Sequence, residues 1–127
     1  MAEITPDQVY AIIGSAGFEK LVEGFYQRVA NDDILRPMYP EDDLQPAQRR
    51  LQLFLEQFFG GPTTYSKERG HPRLRLRHAP FQIDQSARNR WVELMMAALD
   101  EAGLAPEVTA VMRDYFENGA TFLINAQ

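Results

Sequence analysis

Apolar side chains recur every three or four residues along most of this chain, a spacing that the 3.6-residue turn of an α-helix gathers onto one face. The clearest run is Phe18, Leu21, Val22, Phe25, Tyr26 and Val29, which predicts a helix ending near Asn31-Asp32. Ahead of it, Thr5-Pro6-Asp7-Gln8 has the form of a helix start, with Thr5 as cap, Pro6 in the first turn and Gln8 able to reach back. A short helix is expected from there to about Gly14, with a break at Ser15-Ala16-Gly17. Pro37 and Pro40 leave room for at most a single turn between 34 and 40. From Pro46 a third helix turns Leu51, Phe54, Leu55, Phe58 and Phe59 to one side and Gln48, Arg49, Gln52 and Glu56 to the other, until Gly60-Gly61-Pro62 stops it.

Between Thr63 and Phe81 the periodicity fails, and a Gly- and Pro-punctuated stretch of that length inside a compact domain is usually functional or disordered. Asp84 then caps a fourth helix with Ala87, Trp91, Leu94, Met95, Ala98 and Leu99 as its inner positions, closed by Gly103. Pro106 opens a fifth, with Val108, Val111, Met112, Tyr115, Phe116, Phe122 and Leu123 at helical spacing. The alternation in Arg73-Leu74-Arg75-Leu76-Arg77 is strand-like, but a lone strand has no partner to pair with. The expected fold class is all-α, in one domain spanning 1–127.

Composition removes several functions. Without cysteine there is no disulfide, thiolate nucleophile or finger-type zinc site. A net charge of −5 argues against general nucleic-acid binding. The absence of any long apolar run and of a basic-then-apolar leader points to no membrane and no export, so a cytoplasmic location is expected. Ser66 and Ser86 sit in no nucleophile motif, and no Gly-rich loop follows a strand. Glu41-Asp42-Asp43 is read as a solvated acidic turn, because consecutive carboxylates point apart.

One anomaly is left. Arg69, Arg73, Arg75 and Arg77 place four of the thirteen basic side chains within nine residues, beside both histidines. His71, between Gly70 and Pro72, reads as a loop side chain. His78 has apolar cover from Leu74 and Leu76, positive charge from Arg77, and Phe81 just beyond. An isolated histidine of this kind is either a hydrogen-bonded structural residue or a metal ligand. A haem in a small helical protein needs one imidazole on iron, a slot of large apolar side chains and cations near its propionates. Phe54, Phe58 and Phe59 on the third helix and Trp91 and Met95 on the fourth would serve as walls, although such a stripe by itself is more often the pattern of a plain core.

Three blocks shift the balance: Tyr39-Pro40-Glu41-Asp42-Asp43-Leu44, then Arg50-Leu51 through Phe54-Leu55-Glu56-Gln57-Phe58-Phe59-Gly60-Gly61-Pro62, then Gly70-His71-Pro72-Arg73-Leu74-Arg75-Leu76-Arg77-His78-Ala79-Pro80-Phe81. Over most of its length, from about Phe18 to the last helix, the chain resembles the truncated haemoglobins, and among them the second group. The resemblance implies a shortened globin, two helix pairs packed over one another around haem b. It implies His78 as the proximal iron ligand, Tyr26 and Tyr39 as distal tyrosines, and Trp91 as the tryptophan whose indole N–H lies over the haem. Ala47 stands where many globins place a distal histidine, with Leu51 one turn further on. Arg50 and Arg77 match the propionate partners, Tyr65 is placed at that edge, and Arg73 and Arg75 are left as solvated charges. The haem-contacting set is thus Arg50, Leu51, Phe54, Phe58, Tyr65, Arg77, His78, Phe81, Trp91 and Met95.

The function implied is binding of dioxygen and other diatomic ligands, with hydrogen bonds from Tyr26, Tyr39 and Trp91 giving high affinity and slow release. Slow release suits a simple carrier poorly, so nitric oxide dioxygenase or peroxidase-like activity, served by a reductase, ranks second. The alternative from another class is a haem-free helical interaction or sensor module that uses Arg69 to Arg77 as a docking surface. The chain is expected to be a monomer or homodimer.

Overall fold

The computed structural model describes residues 4–40, 42–78 and 83–125, the side chains of Arg75 and Leu76 excepted. The predicted start is present: Pro6–Gln8 form a 3-10 turn under a capping box between Thr5 and Gln8. That turn runs straight into α1, Val9–Val29. The short first helix expected to run to about Gly14 does end there: Gly14 (φ 66°, ψ 179°) is non-helical and divides α1 into two helical segments at a kink. That combination of angles is open essentially to glycine alone, which is why the kink sits there and not at Ser15 to Gly17. All six apolar residues of the Phe18 to Val29 run are buried.

After a 3-10 turn at Arg36–Met38 come α2 (Gln45–Phe58), α3 (Thr64–Arg69), α4 (Leu74–His78), α5 (Gln85–Ala102) and α6 (Pro106–Phe122). The stretch expected to be irregular from Thr63 to Phe81 thus holds two helices. Each is too short for periodicity to reveal, and α3 is fixed from outside by a reciprocal pair, Gln57 Nε2 to Ser66 Oγ (2.8 Å) and Ser66 N–H to Gln57 Oε1 (3.0 Å).

α1 packs on α2 and on α5, α5 packs on α6, and α2 carries α3, so two helix pairs are stacked with α1 against α5. Small residues let these two helices approach closely: a Cβ at Gly24 would lie 3.6 Å from that of Ala98. The core beneath is Phe18, Leu21, Val22, Phe25 and Val29 of α1, Leu55 of α2 with Phe59 just beyond it, Met95 and Leu99 of α5, and Met112 and Phe116 of α6. At the end of α2 the chain turns through Gly60 (φ 94°), where a Cβ would fall 1.9 Å from the Asp7 carbonyl oxygen. This close approach seats the N-terminal turn, whose Tyr10 N–H donates to the Phe59 carbonyl at 2.9 Å.

Among the described residues two charged side chains are buried. Glu56, placed by its spacing on the outer face of its helix, is 5% exposed. It accepts hydrogen bonds from Ser15 Oγ (3.2 Å) and Gln52 Nε2 (2.8 Å), tying α2 to the turn after the Gly14 kink. Asp32 accepts from the N–H groups of Ile34 (3.1 Å) and Leu35 (2.8 Å) and from Arg90 Nε on α5 (2.6 Å). Burial alone would push its carboxyl upward, but the Leu35 N–H, the Arg90 guanidinium and the Ile34 N–H outweigh that and hold it below the ordinary carboxylate value.

Two stability outcomes follow from these features. Gly14→Ala forces a Cβ into a left-handed, extended conformation and should cost about 1–3 kcal/mol, read as a lower urea midpoint at unchanged slope. Because the Asp32 carboxyl is depressed in the folded state, the stability it contributes is fully present above the unfolded value and is lost as pH falls through the folded one. Asp32→Asn should therefore lower the melting temperature by several degrees at pH 7, and the gap from wild type should narrow as the pH drops below the ordinary value of 3.8.

Candidate functional site

The helix pairs leave a cavity of about 530 Å³ between them. Each helix contributes one face, at helical spacing: Ala47, Arg50, Leu51, Phe54 and Leu55 from α2, Ala87, Arg88 and Trp91 from α5, and Tyr115, Phe116, Gly119 and Ala120 from α6. α1 supplies Tyr26, the turn after it supplies Leu35, Met38 and Tyr39, and the short helices supply Tyr65, Arg69, Leu74, Arg77 and His78. The volume lies in the range of about 300–1,000 Å³ typical of small-molecule and cofactor sites, and most of the wall is apolar.

His78 is the last residue of α4, and its Nδ1 lies 2.7 Å from the Leu74 carbonyl oxygen one turn earlier. A carbonyl can only accept, so Nδ1 carries the proton of this bond and the lone pair is left on Nε2, the tautomer a metal-ligating imidazole needs. The backbone around the histidine is held from far along the chain. Asn125 Nδ2 donates to the His78 carbonyl (3.3 Å), Asn125 Oδ1 accepts from Ile83 N–H (2.8 Å), and Asn125 N–H donates to the Ile83 carbonyl (2.9 Å).

Tyr26, Tyr39 and Trp91 share this cavity with His78. The Tyr26 and Tyr39 rings meet edge to face at 5.7 Å, and Trp91 packs on Phe25 (5.3 Å) and Phe116 (5.8 Å). Their positions are set by two braces. Arg36 Nη1 donates to the Tyr39 carbonyl (3.0 Å), and the Asp32–Arg90 pair joins the start of the Tyr39 turn to the residue just before Trp91. Ala47 is buried on the same wall and contributes only a methyl group.

Arg50, Arg69, Arg77 and Arg88 also line the cavity. Arg77 Nε donates to the Pro72 carbonyl (2.8 Å) and Nη2 to the Arg69 carbonyl (2.7 Å), while its guanidinium carbon sits 5.9 Å from the centre of the Tyr65 ring. Arg88 is anchored to α6 through Thr121 Oγ1 (3.0 Å) and the Glu117 carbonyl (3.1 Å).

Eight of the expected pocket residues, Tyr26, Tyr39, Arg50, Leu51, Phe54, Tyr65, Arg77 and Trp91, come together with His78 on the cavity wall. Two others do not. Phe58 is 42% exposed and stacks on Tyr115 at 4.1 Å, because its place on α2 faces the C-terminal half of α6. Met95, one turn beyond Trp91, is fully buried in the core. Phe59, offered as a third aromatic wall, is also core. Phe81 lies outside the described residues. His71 is exposed, as expected of a loop side chain, and its Nδ1 accepts the Arg73 N–H at 3.1 Å. Arg69 was read from sequence as part of the basic cluster and Tyr115 as an inner helix position, neither as a cavity residue, and Arg88 and Asn125 were not singled out at all; only contacts across 29 to 47 residues mark those two. Burial pushes the Tyr115 phenol up to about 12, so it stays protonated at neutral pH.

Among the described residues no three His, Cys, Asp or Glu side chains converge to hold a bare metal ion, and no helix is long and apolar enough to cross a membrane. A donor set of one imidazole suits a metal whose other ligands come with a prosthetic group. Comparison with known proteins agrees with this architecture. Residues 8–125 match the family model described as bacterial-like globin. The group 2 truncated hemoglobin YjbI of Bacillus subtilis is 38% identical over 116 residues, covering 91% of this chain and 87% of that protein. Among solved structures, a hemoglobin from the thermophilic phototroph Chloroflexus aurantiacus is 48% identical with a TM-score of 0.89, covering 92% of this chain and 97% of that one. A truncated oxygen-avid haemoglobin from Bacillus subtilis is 38% identical with a TM-score of 0.88, covering 92% and 98%. A two-over-two helical stack around a cavity that ends on His78, matched over nearly its whole length, makes this chain a member of the bacterial-like globin family, among the group II truncated haemoglobins.

Proposed function

We propose that the cavity binds haem b through His78 and that the protein binds dioxygen and other diatomic ligands beside Tyr26, Tyr39 and Trp91. The observation that carries this reading is the 2.7 Å bond from His78 Nδ1–H to the Leu74 carbonyl, which fixes the ring and its tautomer on the wall of a mostly apolar cavity. When bound, haem supplies an iron centre with a coordination position for a small ligand. The chain supplies the rest. Leu51, Phe54 and Leu74 give apolar walls that exclude water, and Arg50 and Arg77 are the partners for the two propionates, with Tyr65 beneath Arg77.

Tyr26 and Tyr39 carry O–H donors and Trp91 an N–H donor, with no base among them to remove a proton. A diatomic ligand that draws negative charge toward its outer atom gains hydrogen bonds there. Each neutral bond is worth about 1 kcal/mol net, so two donors slow release by one to two orders of magnitude. The oxygen avidity ascribed to the similar haemoglobin of Bacillus subtilis supports the same direction. Haem and slow ligand loss also underlie the second reading, nitric oxide dioxygenase or peroxidase-like turnover, in which the same donors polarise a bound oxidant.

Purified protein supplied with haem should show an intense Soret band, and His78→Ala should lose the spectrum of an imidazole-ligated iron; wild-type protein that never takes up haem would overturn the proposal. In stopped-flow measurements, Trp91→Phe and Tyr26→Phe should each release dioxygen about tenfold faster than wild type. Unchanged off-rates in both would remove these side chains from the ligand-stabilising role while leaving the haem assignment standing.

A further inference from the structure

The charge of this molecule is distributed unevenly. Residues 49–77 hold seven of the thirteen basic side chains and only two of the eighteen acidic ones, on a chain whose net charge is −5. One of those two acids, Glu56, is buried, and the other, Glu68, is taken up by Arg49 through two 2.7 Å bonds. Lys67, Arg69 and Arg73 remain: all three are exposed, and none makes an ion pair among the described residues. They stand where the cavity is lined by Arg50, Arg69 and Arg77. Their support is rigid, since α3 is pinned to α2 by the Gln57–Ser66 pair and by Arg49–Glu68. Arg73 is held at φ 44°, with its N–H on His71.

Neutral diatomic molecules feel no such field, so the patch is not needed to bring them in. A charged protein does feel it, and the acidic remainder of the surface turns an acidic partner toward this one face. We infer that the exposed basic rim of α3 and the turn before α4 docks an acidic electron-carrier protein of the iron–sulfur class, which delivers electrons to the cofactor at this edge of the cavity. The inference rests on the haem reading above. One electron leaves the carrier's cluster and is taken up by the iron, ferric becoming ferrous, with no bond made or broken. The step matters because only the reduced iron binds dioxygen.

The test uses the haem-loaded ferric protein and a reduced plant-type [2Fe–2S] ferredoxin, an acidic carrier. The second-order reduction rate should fall at least tenfold between 20 and 300 mM salt, about the scale expected of steered association. The double variant Lys67→Glu/Arg73→Asp, which changes no cavity-lining residue and keeps a side chain tolerant of positive φ at 73, should lower the low-salt rate at least tenfold. Glu107→Lys, in the first turn of α6 and away from the cavity, should leave it within twofold. Amide shifts of the holoprotein on adding oxidised ferredoxin should cluster in residues 64–74. A wild-type holoprotein with a normal Soret band whose reduction is insensitive to salt and to the double variant, or whose shifts cluster elsewhere, overturns the docking surface while leaving haem binding intact. A wild type without a Soret band overturns the haem reading itself.

Discussion

Keeping a large apolar cavity open within 127 residues is the constraint on which the rest of this structure depends. At about 24 cal/mol per Å³, a dry void of 530 Å³ would cost on the order of 13 kcal/mol, comparable with the whole stability of an ordinary domain. Water entering at the arginine-lined edge lowers that figure, yet the direction holds: whatever fills the cavity stabilises the fold, and binding energy becomes folding energy. The architecture answers by placing its dense packing elsewhere. Phe18, Phe59, Met95, Leu99 and Met112 are sealed in a core between α1, α5 and α6, so that the cavity is bounded by helices already fixed on their other sides.

The polar braces divide the work around that cavity. Asp32 with Arg90 links the turn carrying Tyr39 to the helix carrying Trp91, so the donors from two separate elements are set against each other by one buried carboxylate. His78 is oriented within its own short helix by Leu74, and Arg77 spans from α4 to the last carbonyls before it. The side of the cavity that carries Tyr39 and Trp91 and the side that carries His78 are thus each braced by their own hydrogen bonds.

What sequence made legible, and what it did not, follows from the range of the interactions. The Phe18 to Val29 face was readable because α1 is long enough for its period to repeat, and all six predicted positions are buried. The same holds for Val108, Met112 and Phe116, but the pattern overran at Phe122, which is 55% exposed where α6 passes beyond its packing partners. α3 and α4 escaped because five or six residues carry no period, and their stability comes from Gln57, Ser66 and Arg77. Glu56 was misplaced because its partner Ser15 lies 41 residues away. At the site, spacing put Tyr26 and Trp91 on inner helix faces and the basic and apolar neighbours marked His78, but the roles expected of these three and of Tyr39 came from the family resemblance. Phe58 and Met95 showed the limit of an aromatic or apolar stripe: Met95 is turned inward but into the core, and Phe58 is left 42% exposed against Tyr115.

The bracket made by Asn125 has a consequence for how the corner around His78 is held. Its side chain and backbone secure both Ile83 and the carbonyl of His78, 47 residues upstream. The corner around the imidazole is therefore complete only once the segment after α6 has packed back on it. Loosening that segment reaches the backbone at 78 and at 83 together, although the two belong to different parts of the chain.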